Sequence, residues 1–184
     1  MSRFLSLVHP SPFGDFRVVW AEEGSGIAVV RILLPGRARV RGAATAFPGL
    51  ERGNDGRVLG LAAEIARFLD GDDVRFPLSC VDLSSCSEFQ QRVLRAEHAI
   101  PRGRVSSYGA IARHLGAPGA ARAVGRALAT NPFPIVVPCH RAIRGDGGLG
   151  GYQGGVSMKR ALLELEGVGV SLDGKVLDAR RHYE

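Results

Sequence analysis

Residues 107–129 read Ser107-Tyr108-Gly109-Ala110-Ile111-Ala112-Arg113-His114-Leu115, then Gly116-Ala117-Pro118-Gly119, then Ala120-Ala121-Arg122-Ala123-Val124-Gly125-Arg126-Ala127-Leu128-Ala129. Two short helical stretches around a tight Gly/Pro turn predict a helix-turn-helix, with helices over 107–115 and 120–129. The second helix carries small residues almost throughout, and Arg122 and Arg126 project at i, i+4 from one face. A helix with its side chains is about 10–12 Å across, whereas the minor groove of B-DNA is about 6 Å wide. Small side chains would let such a helix approach a narrow groove with arginine as its long probe. A packed Ala-rich helix with two solvated arginines has the same pattern, so the helix alone does not decide between them.

Downstream, the apolar run Ile135-Val136-Val137 predicts a buried strand, and Pro138-Cys139-His140-Arg141 follows it. A thiol, an imidazole and a guanidinium thus meet where the chain leaves the core. A free thiol has a pKa of about 8.5 and is mostly protonated at neutral pH, so a neighbouring base or cation is what makes it reactive. Upstream, Ser87-Glu88-Phe89-Gln90 has capping-box spacing and opens a helix that ends before Ile100-Pro101. A last amphipathic helix shows Met158, Ala161, Leu162 and Leu165 and stops at Gly167.

The first half reads differently. Phe16, Val18 and Trp20 alternate with Arg17 and Val19, a half-buried strand; Glu22–Gly26 is a turn, and Ile27–Leu34 a second strand, with Phe4–Val8 as a third. Val58, Leu61, Ala62, Ile65, Phe68 and Leu69 form one helical face, capped by Asn54 or Asp55 and ended by Gly71. The fold class expected is therefore a small antiparallel sheet plus helix, an α/β domain over 1–85. A mostly helical domain over 86–170, with a helix-turn-helix of winged-helix character, and a tail over 171–184 complete it.

The net charge of +6 is uneven. Residues 1–85 hold ten basic and ten acidic residues, and residues 86–170 hold eleven and five, so the excess lies in the second half. This points to a polyanion partner, nucleic acid above all, against the plainer reading of a solvated basic face. Because 22 of the 24 basic residues are Arg, genomic base composition also contributes. No apolar run approaches the roughly 20 residues that span a bilayer, and the N-terminus turns polar too early for a leader, so a cytoplasmic protein without membrane partners is expected. Cys80, Cys86 and Cys139 cannot close a disulfide framework and show no metal-ligand spacing, so no metal is expected.

Ile100-Pro101-Arg102-Gly103, Val105-Ser106-Ser107-Tyr108, Ala121-Arg122-Ala123-Val124-Gly125, Asn131-Pro132 and Pro138-Cys139-His140-Arg141 occur in this order, followed by Gly150–Gly155, Lys159 and Glu166-Gly167. Over residues 87–170 the chain resembles the O6-alkylguanine-DNA alkyltransferases, the methylated-DNA–protein-cysteine methyltransferases. The resemblance implies that Cys139 accepts the alkyl group irreversibly, one per molecule, with no cofactor. His140 would act as base through a water, Glu166 would orient it, Tyr108 would give a proton to the leaving base, and Asn131 would tie the recognition helix to the Cys139 segment. The target atom is inside a duplex, so the alkylated base, O6-alkylguanine or alternatively O4-alkylthymine, must be flipped out. Arg122 would take its place in the stack from the minor groove, Arg126 would contact phosphate, and Ala121, Ala123 and Gly125 would let the helix approach.

Tyr152, Gln153, Gly154, Ala142 and Lys159 would shape the base pocket, and the protein would act as a monomer on double-stranded DNA. Arg141 reads as an ion-pair partner. The chain departs from the family pattern at Leu94, where Trp is common, and at Gln153, where a small hydroxyl residue is common and where a longer side chain would change alkyl size or bond O6. Leu128 and Ala142 are differently shaped apolar choices near the site. Two other readings stand beside alkyl transfer. A non-repairing binder of alkylated bases would lack the acceptor cysteine, and an unrelated Cys-His hydrolase would leave the small-faced helix unexplained.

Overall fold

The computed structural model describes residues 3–23, 26–35, 47, 50–177 and 180–184. The chain divides into two units, one of residues 1–85 with 132–136, the other of residues 86–131 with 137–184.

In the first unit, β1 (Arg3–His9), β2 (Phe16–Glu23), β3 (Gly26–Leu33) and β4 (Glu51–Arg52) form a sheet in the order β3-β2-β1-β4. The first three strands pair antiparallel as expected, but β4 joins β1 in parallel, so the sheet is mixed. Two exposed charged residues have no alternation for a sequence reading to detect. The turn expected over 22–26 has its centre, Gly24 and Ser25, outside the described residues. Val18, Val19 and Trp20 are all buried, where alternation had placed Val19 on the other face; the β2–β3 register shifts between Val19 and Trp20. Helix α1 (Gly56–Asp70) starts at Asp55, whose carboxylate accepts from the Arg57 amide at 2.8 Å, and ends at Gly71 with φ 111°. It buries Val58, Ala62, Ile65, Phe68 and Leu69.

Gly53 lies against the fully buried Trp20 indole. Its amide donates to Ser6 O at 3.1 Å, and a Cβ there would stand 2.5 Å from Trp20 Cζ2 and 2.9 Å from Leu5 Cβ. Gly53→Ala is therefore expected to lower the unfolding free energy by about 1–3 kcal/mol, as overpacked cores do. Urea unfolding followed by Trp20 fluorescence measures this, and an unchanged midpoint would show that the indole shifts freely.

In the second unit, α2 (Glu88–His98) is capped by Ser87 Oγ, which accepts from the Gln90 amide at 3.3 Å. Only half of the expected capping box forms. Gln90 Nε2 instead donates to Ala127 O at 3.1 Å and to Thr130 Oγ1 at 3.0 Å. Those two acceptors belong to the last turn and the C-cap of the helix over Ala121–Ala129. The helix-turn-helix is α3 (Tyr108–His114) and α4 (Ala121–Ala129), with Ser107 Oγ capping α3 through the Ala110 amide at 3.1 Å. β5 (Arg104–Ser107), β6 (Ala142–Ile143) and β7 (Arg180–Arg181) form a small parallel sheet ordered β6-β5-β7, which the nearly all-helical reading of this region lacked. Strands of two to four residues with distant partners leave no local signature.

The segment expected as a buried strand, Ile135–Val137, is buried but is not a strand. Ile135 has φ 75° in a turn, so the backbone does not run extended through the segment. Helix α5 (Val156–Leu165) buries Met158, Lys159, Leu162 and Leu163, whereas Leu165, expected inside, is 40% exposed. Gly167 ends this segment at φ 81°. Residues 180–184 pack on the second unit. His182 N donates to Val105 O at 2.8 Å, Tyr183 Oη to Ala96 O at 3.0 Å, and the Tyr183 ring stacks on His114 at 3.9 Å. No helix among the described residues is long and apolar enough to cross a membrane.

Candidate active site

Cys139 opens a single 3-10 turn, Cys139–Arg141, and is 5% exposed. Burial pushes its thiol up to about 12, against a hydrogen bond from Asn131 that favours the thiolate. The resting thiol is thus protonated. Asn131 Nδ2 also donates to Val137 O at 3.0 Å, which fixes the backbone two residues before the cysteine to the end of α4.

Behind the thiol lies an ionic network. His140 is fully buried, with Nε2 2.9 Å from Glu166 Oε1. Arg141 grips the same carboxylate, Nε to Oε2 at 2.9 Å and Nη2 to Oε1 at 2.7 Å, while its Nη1 donates to Ile100 O at 2.5 Å. Burial alone would raise the Glu166 carboxyl, but the His140 and Arg141 partners outweigh it and hold the group down at about 2. Burial lowers His140, so the ring is neutral at pH 7. An ionised Glu166 fixes the proton on Nε2 and leaves the lone pair on Nδ1. Arg141 is an ion-pair partner, as its sequence context indicated.

Tyr108 starts α3 and is pushed up to about 12, chiefly by burial. Gly150, at φ 69°, lets the 145–155 loop close on it; a Cβ there would stand 2.9 Å from Tyr108 Oη. Tyr152 packs edge-on to His140 with ring centroids 6.3 Å apart. Lys159 is wholly buried on α5, donates to Ala142 O at 2.5 Å, and is lowered to about 8 by burial. Gln153 Nε2 donates to Asn131 O at 2.6 Å, so part of its amide ties the loop to the end of α4. Ala142 is fully buried on β6 and supplies the carbonyl for Lys159, and Gly154 is half-buried in the loop that leads into α5.

A cleft of about 580 Å³ opens along Tyr108, Ala121, Arg122, Gly125, Arg144 and Glu184. Cys139 does not line it. Arg122 and Arg126 are exposed on α4, with Ala121, Ala123 and Gly125 half-buried between them. A Cβ at Gly125 would meet nothing within 4 Å. The protein's own packing therefore does not require glycine there. Arg144 and Glu184 carry no sequence signal for this cleft, because one lies in a turn and the other reaches it through the tail. Glu97 was also missed. It is fully buried on α2, four residues after buried Val93, and that helical spacing was the available signal.

Fold and site together define a helix-turn-helix protein organised around one buried thiol. Residues 88–168 match the family model described as 6-O-methylguanine DNA methyltransferase, DNA binding domain. The methylated-DNA–protein-cysteine methyltransferase of Methanothermobacter thermautotrophicus is 41% identical over 169 residues, covering 92% of this chain and 86% of the relative. Among solved structures, Mycobacterium tuberculosis OGT in complex with DNA superposes with a TM-score of 0.70 at 37% identity, covering 88% of this chain and 92% of that one. The O6-methylguanine-DNA methyltransferase of Pyrococcus kodakaraensis gives 0.55 at 25% identity, covering 90% and 99%. The chain belongs to the methylated-DNA–protein-cysteine methyltransferase family.

Proposed function

We propose that this chain repairs O6-alkylguanine in duplex DNA by moving the alkyl group onto Cys139 Sγ, once per molecule. The observation that carries this reading is a buried, protonated thiol beside a neutral imidazole whose other nitrogen is held by an ionised carboxylate. His140 Nδ1 takes the thiol proton through a solvent molecule, and Glu166 stabilises the imidazolium that results. The thiolate forms an S–C bond as the C–O6 bond breaks, and the electron pair leaves with guanine. Tyr108 Oη offers a proton to the guanine anion as its charge develops, with Lys159 nearby as a buried cation. The thioether product is stable in water, so nothing regenerates Cys139.

Access requires a flipped nucleotide, because O6 is otherwise paired inside the duplex. The bare Gly125 position supports a close approach of α4 to a minor groove. Arg122, exposed on the cleft, is suited to fill the vacated stack, and Arg126 to meet phosphate. The Tyr152 ring and the 150–154 loop would enclose the base. The retained thiol disfavours a binder without transfer.

Intact-mass measurement after incubation with an O6-methylguanine duplex tests the reading. One methyl adduct per chain, mapped to Cys139, is expected; binding without an adduct, or repeated turnover, would overturn it. Arg122→Ala is expected to slow repair of the duplex by about ten- to a hundredfold, since flipping costs a few kcal/mol. Its reaction with free O6-methylguanine base should be unchanged. Equal losses on both substrates would remove Arg122 from the flipping step.

A further inference from the structure

The reaction above makes no use of Glu97, the most unusual residue of the second unit's interior. It lies in the last turn of α2, wholly buried, on the same face as Val93 and Leu94. Neither carboxyl oxygen accepts a hydrogen bond of ordinary geometry, although the Ala142 amide lies close enough to act on it. Ionisable groups reach it from the surrounding elements: Lys159 from α5, Arg141 and Cys139 from the 3-10 turn, Tyr108 from α3, and Tyr183 from the tail.

Of the two cations, Arg141 is held by Glu166 and the Ile100 carbonyl. Lys159 is therefore the positive charge left to answer Glu97. It is anchored to Ala142 O, the carbonyl of the residue whose amide faces the Glu97 carboxyl. A carboxyl kept for stability would be paired, or would be replaced by Val or Leu at this helical position; an unpaired buried polar group weakens a fold.

We propose that Glu97 is a positioning residue for the alkyl transfer: while its carboxyl is protonated, the Lys159 ammonium stands unbalanced near Cys139 and favours the thiolate. Ionisation of Glu97 cancels that charge, and once Lys159 has also lost its proton the carboxylate is left as a net negative charge beside the thiol. Burial supports the required protonation, since it pushes Glu97 up to about 8, while Lys159 is drawn down to about 8. The two groups change charge in the same pH range, around the nucleophile. The inference rests on the reading of Cys139 as the acceptor.

The test is the rate of methyl transfer from free O6-methylguanine base, followed by intact mass between about pH 6 and pH 10. Using the free base removes DNA binding from the measurement. In the wild type the logarithm of the rate should bend downward above about pH 8 as Glu97 ionises and Lys159 loses its proton. Glu97→Gln should bend only where Lys159 loses its proton, at lower pH than in the wild type because the carboxylate that favours the ammonium is gone, and should react about threefold faster or more at the alkaline end. Glu97→Leu, which suits the apolar site, should give the same profile. In a Lys159→Met background with Glu97 intact, the bend should move to higher pH, because the carboxyl loses the cation that favours its ionisation.

Wild-type and Glu97→Gln profiles that superimpose overturn the proposal while leaving Cys139 as the acceptor. So does a uniform loss of rate at every pH in both Glu97 variants, which is what a packing role alone produces. Absence of any adduct in the wild type overturns instead the reading on which the proposal rests.

Discussion

Glu166→Gln is expected to lower the unfolding free energy by about 3–5 kcal/mol, the range for breaking one side of a buried ion pair. It should also slow methyl transfer at least tenfold, roughly, through loss of imidazolium stabilisation. The Glu166 side chain is 1% exposed, and its carboxylate accepts from His140 at 2.9 Å and from Arg141 at 2.7 and 2.9 Å. Glutamine keeps the shape but leaves the Arg141 guanidinium, 8% exposed, without its counter-charge. The effect has a pH signature. Despite the opposing effect of burial, its partners hold Glu166 at about 2, below the ordinary carboxylate value, so its stabilisation is complete above about pH 4.5 and is lost as pH falls toward 2. The stability gap between wild type and variant should narrow over that window in urea titrations. A gap that stays constant down to about pH 3 would show that the carboxylate charge is not its source.

His140 acts in the same direction at milder pH. Burial lowers it below its ordinary 6.5, so the unfolded chain takes up protons that the folded chain refuses as pH falls through 6.5. Glu97 opposes both. Raised to about 8 by burial, it binds its proton more tightly when folded, and its contribution to stability declines as pH rises from 4.5 toward 8. The interior of the second unit is thus squeezed from both sides of neutrality, by groups that a stability-driven core would not contain.

How much of this could be read from residues alone depends on how local the cause is. The helix-turn-helix was legible because the Gly116–Gly119 turn and the Ser107 cap act over a few residues. Burial of Ile135–Val137 was legible from its apolar run, but the strand was not there, because the backbone turns at Ile135 with φ 75°. β5, β6 and β7 depend on pairings between residues far apart in sequence, so neither the small sheet nor the packing of residues 180–184 on it had a local mark. Gly125 had no local mark of its surroundings: a small residue reads alike in a packed helix and on an open helix face, and the structure puts empty space around it. Glu97 was passed over for the converse reason. A charged residue on a helix defaults to solvent, and only its spacing from Val93 spoke against that.

Replacing Cys139 by serine is expected to abolish the methyl adduct altogether while leaving the alkylated duplex bound. The thiol already needs help to ionise, since burial pushes it to about 12, and a serine hydroxyl is a far weaker acid facing the same neutral His140. The exchange is nearly isosteric at a site 5% exposed, and the Asn131–Val137 tie at 3.0 Å does not involve the sulfur, so stability should change by only about 1 kcal/mol. The other two thiols serve as the internal control. Cys80 is pushed up to about 11 by burial, and no base comparable to His140 follows it in sequence; Cys86 is buried just before the Ser87 cap of α2. Cys80→Ser and Cys86→Ser should each still take up one methyl group per chain. An adduct that persists in Cys139→Ser and maps to either of them would move the acceptor and, with it, the roles assigned to His140 and Glu166.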